Sequence, residues 1–437
     1  MFKATSHRFA RLFRDRKSGR FLSCPIIFYT KTWSFFHLNM PSSSSPLLDV
    51  LSNACLAHLI TGFTYVLIPP SRLMRYPFFL IILVFIHRAV ISTRPINGIG
   101  DQISTYLCGF ALYAHYYLIV IREIAPPVTS SLEQLSNVAA FYFSPRRKLS
   151  AGRIPSFSAS DPKYVPSRLA FIFAGIRRLL FAFAFIHFQR NYSLNTIASD
   201  YGPPRDRLLS RILTFSVQNP NDKISVIECI IRVYITLTVL AMEYNIHNLV
   251  HTSASIIGVG LLRHSPSQWP PIYGPLKEAY TVRRFYGIFY HSLMRNAFVG
   301  NAAWLVDPVL FWGSHSTITN RVISPRKSFV RKWLINLVAL AICGMMHSVA
   351  LSTADGCPPG YFQMRYYLYI LVGMLVEDSM FWLFKQLRPR PLHQDRIGFC
   401  LRFCGYLWVF LFHFWMIPNS LYPNLFCEVE LQLETAI

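Results

Sequence analysis

Histidine takes up a proton near neutral pH, and two histidines of this chain stand where that ability matters. His347 closes an apolar run of membrane-span length, residues 334–351 (LINLVALAICGMMHSVAL), that holds no Lys, Arg, Asp or Glu. An ionisable group at membrane depth is costly to keep, so it is a functional-site candidate by default. The second histidine, His291, follows a dense set of rings in the polar, aromatic stretch 269–296 (WPPIYGPLKEAYTVRRFYGIFYHSLMRN). One imidazole in a buried helix and another on an aromatic, loop-like segment predict a reaction chamber embedded in a membrane.

The elements that must position these groups follow from composition. The chain has 437 residues, 53% hydrophobic and only 14% charged, against about 25% charged in an ordinary soluble domain. Its 36 Phe, 23 Tyr and 8 Trp exceed the needs of a soluble core. The expectation is an all-α, polytopic membrane protein. A span takes about 20 apolar residues, and candidates lie at 47–68, 77–91, 103–121, 169–188, 226–242, 246–262, 334–351, 366–384 and 399–417. Seven to nine helices are predicted, with the stretch 298–312, which contains Asp307 and Pro308, as a candidate re-entrant segment. Residues 1–46 form a basic extension, 47–427 the membrane domain and 428–437 a tail. The long polar connections 122–168 and 189–224 face water.

The net charge of +23 is spread along the chain. Residues 1–39 carry eight basic residues against one acid, Asp15, which resembles a targeting segment. Met40 followed by PSSSSP looks like an ordinary start, so the extension is expected to be dispensable. The remaining excess punctuates the hydrophobic spans, which suits anionic headgroups and the cytosol and argues against nucleic acid. Nine cysteines are scattered with no CxxC pair, so neither a disulfide framework nor a zinc site is indicated. His247 and His251 are four apart on one helix face and invite a metal-oxygenase reading, but no HxxHH box accompanies them. Glu377 and Asp378, acids in mid-span, are expected to pair with Arg402 or Arg232, and they are the main argument for a transporter.

The run Trp269-Pro270-Pro271-Ile272-Tyr273-Gly274, then Arg284-Phe285-Tyr286-Gly287-Ile288-Phe289-Tyr290-His291, resembles the wax synthase branch of the membrane-bound O-acyltransferases. A histidine closing an apolar helix after a small residue is the second landmark, matched by Gly344-Met345-Met346-His347. The resemblance spans residues 220–417 and is greatest to fungal enzymes that acetylate terpenoid and meroterpenoid alcohols. It departs where relatives carry tryptophan at the positions of Tyr286 and Tyr290 and where plant wax synthases carry asparagine at that of His291.

The resemblance implies an acyl-transfer chamber in the endoplasmic reticulum membrane, with acyl-CoA, and acetyl-CoA in particular, as co-substrate and a hydrophobic alcohol as acceptor. No permanently bound cofactor and no metal are implied. A long-chain wax ester synthase is the alternative within the family. Acyl transfer to a hydroxyl needs a base, the role of His347. The thioester carbonyl needs a donor aimed at its developing oxyanion, the role of His291. Trp269, Phe285, Tyr286 and Tyr290 are expected to line the substrate site. Arg284 and Arg295, with Arg283, are expected to meet the phosphates of coenzyme A.

Overall fold

Apolar runs of span length fold as helices because a helix satisfies its own backbone polar groups where no water can. A computed structural model describes residues 45–93, 100–125, 130–131, 133–134, 137–138, 141, 164–191, 208–213, 224–290, 294–310, 325–351, 361–387 and 394–435. All regular elements among them are helical. In chain order they are α1 (Ser45–Leu67), α2 (Arg72–Ser92), α3 (Gly100–Ala114, widening into a π turn at His115–Val120), α4 (Arg168–Asn191), α5 (Leu208–Leu213) and α6 (Val226–Gly260). The motif segment follows, with the short α7 (Val282–Arg284) passing into a π turn at Phe285–Phe289. Then come α8 (Arg295–Leu310), α9 (Pro325–Leu351), α10 (Tyr361–Leu387) and α11 (Gln394–Thr435). Residues 428–435 continue the last helix.

Among the described residues seven helices are long and apolar enough to cross a membrane: most of α1, α2, α3, α4, α9, α10 and α11. Their outward faces carry bare apolar side chains such as Phe173, Trp382 and Phe399, each more than half exposed, which suits contact with lipid. Inward faces pack in groups. α1, α2 and α3 enclose one core around Ile82, Leu107 and Leu118. α6, α10 and α11 enclose another, into which the motif segment pushes Ala279, Val282 and Phe285. α9 joins the two halves, lying against α3 and α8 on one side and α10 on the other.

One expectation changes. The spans expected at 226–242 and 246–262 are one uninterrupted helix, α6, of 35 residues. The polar residues between them do not break it, because Asn245, His247 and Asn248 each hydrogen-bond to a carbonyl four residues back. The candidate re-entrant stretch 298–312 is helical over residues 298–310 as part of α8, with Pro308 in its last turn. Asp307 there accepts two hydrogen bonds from Arg331 of α9, at 2.6 and 2.8 Å, which ties α8 to its neighbour.

Candidate active site

The aromatic motif is a folded insertion held from three directions. Thr281 caps α7 by accepting from the Arg284 amide at 3.0 Å. The Glu377 carboxylate of α10 accepts from the Val282 amide, from the Arg283 amide at 3.1 Å and from Trp408 Nε1 of α11 at 2.9 Å. It therefore serves the exposed amides of a helix start from across the interface. Its expected pairing with Arg402 or Arg232 is not what the structure contains. Arg232 is engaged with Glu228, which also binds Arg211, and Asp378 pairs with Arg283 at 2.8 Å. Backbone amides displace a cation as the partner because they sit in the buried core, where a carboxylate is best satisfied by fixed donors.

Gly274 explains the end of the WPPIYG run. Its amide donates to the Phe289 carbonyl at 2.9 Å, and a Cβ would strike the Ile288 carbonyl. The two halves of the motif are thereby locked together. The wide π turn closes with the Tyr290 amide on the Phe285 carbonyl at 2.6 Å. It turns Phe285 into the core and sets Tyr286 and Tyr290 edge to face, with centroids 5.4 Å apart. π turns recur at functional sites because they re-aim side chains in this way.

Tyr286 and Tyr290 meet residues from α6, α9, α10 and α11. The Tyr290 hydroxyl donates to Glu243 Oε2 of α6. His247, one turn further on, has Nδ1 2.7 Å from the Glu243 carbonyl, so that nitrogen carries the proton and Nε2 is the basic one. Tyr273 reaches the same carbonyl at 3.2 Å. On the other side, His413 Nδ1 donates to the Val409 carbonyl at 2.7 Å, so its Nε2 accepts from Tyr286, 3.0 Å away. Tyr286 in turn accepts from Tyr366 at 2.9 Å. Burial pushes the Tyr286 and Tyr290 phenols well above their usual range, and the Glu243 charge adds to this at Tyr290. Both stay protonated at neutral pH and act as fixed donors.

His347 completes the ring of groups. A Cβ at Gly344 would lie 2.8 Å from Met364 Sδ, so glycine lets α9 approach α10 closely there. One turn later the His347 ring stacks on Tyr367 of α10, centroids 5.3 Å apart, and lies within electrostatic reach of His247. Among the described residues neither of its ring nitrogens has a hydrogen-bond partner, and the ring keeps accessible surface. An interhelical tether would show such a bond. Glu243, His247, Tyr286, Tyr290, Cys343, His347, Tyr366 and Tyr367 all lie deep among other residues, yet each keeps part of its surface open. Enclosed groups that keep part of their surface open are the candidates for lining a substrate chamber.

The other residues singled out from the sequence fall in several places. Phe285 is buried against His413, centroids 4.5 Å apart, immediately behind the chamber wall. Trp269 lies beside Phe171 and Val259, with Nε1 donating to His264 at 3.2 Å. That is roughly 24 Å along the α6 axis from Glu243, at 1.5 Å per residue. Arg284 pairs with Glu278 and covers the Tyr280 ring at 4.7 Å. Arg283 covers Trp333 at 5.0 Å. Arg295 starts α8. His291 lies outside the described residues. The sequence does not mark Glu243 and His247 as chamber groups; an acid and a histidine four apart inside an apolar helix are its available signal.

Residues 269–367 match the family described as membrane bound O-acyl transferase. The chain is similar to acetyltransferase ataH of Aspergillus terreus, 31% identical over 39% of this chain and 50% of the relative. It is also similar to acetyltransferase fsoF of Humicola fuscoatra, 23% identical over 62% of each chain. A third relative, O-mevalon transferase yanI of Aspergillus niger, is 29% identical over 34% of this chain and 32% of its own. The chain thus matches less than two thirds of the length of these relatives. No solved structure matches.

Proposed function

Taking residues 269–367 as a segment of the membrane bound O-acyl transferase family, we propose that this multi-pass protein transfers an acyl group, acetyl, from coenzyme A to a hydroxyl of a hydrophobic, terpenoid-like alcohol in the endoplasmic reticulum membrane. The observation that carries the reading is His347, enclosed by protein, stacked on Tyr367, and without a hydrogen-bond partner among the described residues. Its ring nitrogen takes the acceptor's hydroxyl proton as the oxygen attacks the thioester carbonyl. Collapse of the tetrahedral intermediate breaks the C–S bond. The thiolate leaves readily and takes the proton back, giving ester and free coenzyme A thiol. His291 supplies the donor for the oxyanion, a contribution typically worth about 3–4 kcal/mol.

The acceptor enters from lipid and the thioester from the cytosol. Arg284 and Arg295 face the phosphates of coenzyme A as the thioester docks. Acetyl as the donor group rests on the resemblance and on relatives named acetyltransferases. Microsomes carrying the protein, given equal acetyl-CoA and palmitoyl-CoA with one terpenoid alcohol, test it. The acetyl ester should dominate. A dominant palmitoyl ester would make the protein a wax synthase in activity, and uptake of substrate without thioester consumption would make it a transporter.

A further inference from the structure

Glu243 sets a carboxyl group on the chamber wall, in the middle of α6 and surrounded by phenols. Its Oε2 accepts from Tyr290. Its Oε1 has no hydrogen bond among the described residues, and the side chain is not closed off from the chamber although protein surrounds it. The carboxyl lies within electrostatic reach of Tyr286, Tyr366 and Tyr367, and Tyr367 is the ring on which His347 stacks. Glu243, one turn before the His247 that lies within electrostatic reach of His347, thus belongs to the same cluster of groups. Holding Tyr290 in place takes one acceptor oxygen, which a neutral amide would supply without the cost of an ionisable group in apolar surroundings. The second oxygen is left open to a donor that enters from outside the protein.

The hydroxyl being acylated cannot be that donor, because its proton goes to His347. We propose, resting on the acyl-transfer reading, that Glu243 determines acceptor specificity: Oε1 accepts a hydrogen bond from a second hydroxyl of the acceptor, so the protein acts on apolar diols and polyols in preference to mono-alcohols. A mono-alcohol that excludes water from the chamber leaves the carboxyl unmatched. Sites built to bond a hydroxyl discriminate strongly against analogues that lack it. The reaction that supplies the acceptor must accordingly install a second hydroxyl before acylation.

Matched bicyclic sesquiterpenoids, drimenol and drimane-8,11-diol, test this with labelled acetyl-CoA and microsomes carrying wild type or Glu243→Leu. Wild type should favour the diol by at least about tenfold in kcat/KM, equivalent to ~1.4 kcal/mol. Glu243→Leu should bring the ratio to near unity. Glu243→Met, unbranched and similar in length, serves the same purpose if leucine lowers the amount of inserted protein. Wild type that acetylates both alcohols equally, or a variant that keeps the diol preference, overturns the proposal alone. Transfer to neither alcohol overturns the acyl-transfer reading, and this inference with it.

Discussion

Replacing Glu377 with alanine should loosen the motif segment, Tyr286 and Tyr290 included. The carboxylate serves three donors: the Val282 amide, the Arg283 amide and Trp408 Nε1. Val282 is fully buried, so its amide would lose its partner with no water to replace it, at about 1–3 kcal/mol. The Arg283 amide and Trp408 Nε1 lose their acceptor as well, each from a half-buried residue. The sum is about 2–5 kcal/mol, which corresponds to roughly thirty- to several-thousand-fold easier opening of residues 281–290. Hydrogen exchange of the purified protein in nanodiscs would show faster exchange confined to that segment, with a lowered Tm. Glu377→Gln should fall between, because its amide oxygen still accepts but carries no charge. A Glu377→Ala protein whose 281–290 amides exchange as slowly as wild type would refute the anchoring role.

Two further outcomes are expected. His291→Ala should impair acyl transfer strongly while His291→Asn retains part of it, since asparagine keeps a donor; equal kinetic losses in the two variants, at equal protein levels, would remove the donor role. Deleting residues 1–39 should leave microsomal transfer nearly unchanged, and a mitochondrial location that depends on those residues would contradict the endoplasmic reticulum assignment.

The spans were legible because about 20 apolar residues in a row leave a backbone little choice but a helix. His347 was legible for the complementary reason, that an imidazole in such a run demands an explanation. Glu243 and His247 were not, because the HNLVH spacing pairs His247 with His251. In the folded chain the two histidines part company: His247 bonds to the Glu243 carbonyl, while His251 meets Trp269 edge-on, centroids 5.8 Å apart. Four residues of helix rise about 6 Å, enough to give each a different neighbourhood. The partners of Glu377 were hidden because a sequence advertises formal cations but not which backbone amides a helix start leaves open. Tyr286 and Tyr290 were visible as rings, but their approach depends on the π turn, which no periodicity announces.

We propose His347 as the base of the acyl transfer. Its most direct test is the initial rate of acetyl ester formation by His347→Ala, with labelled acetyl-CoA and an alcohol the wild type uses, at matched levels of membrane-inserted protein. Loss of a general base predicts a fall of about a hundred- to ten-thousand-fold. A rate equal to wild type would contradict the account.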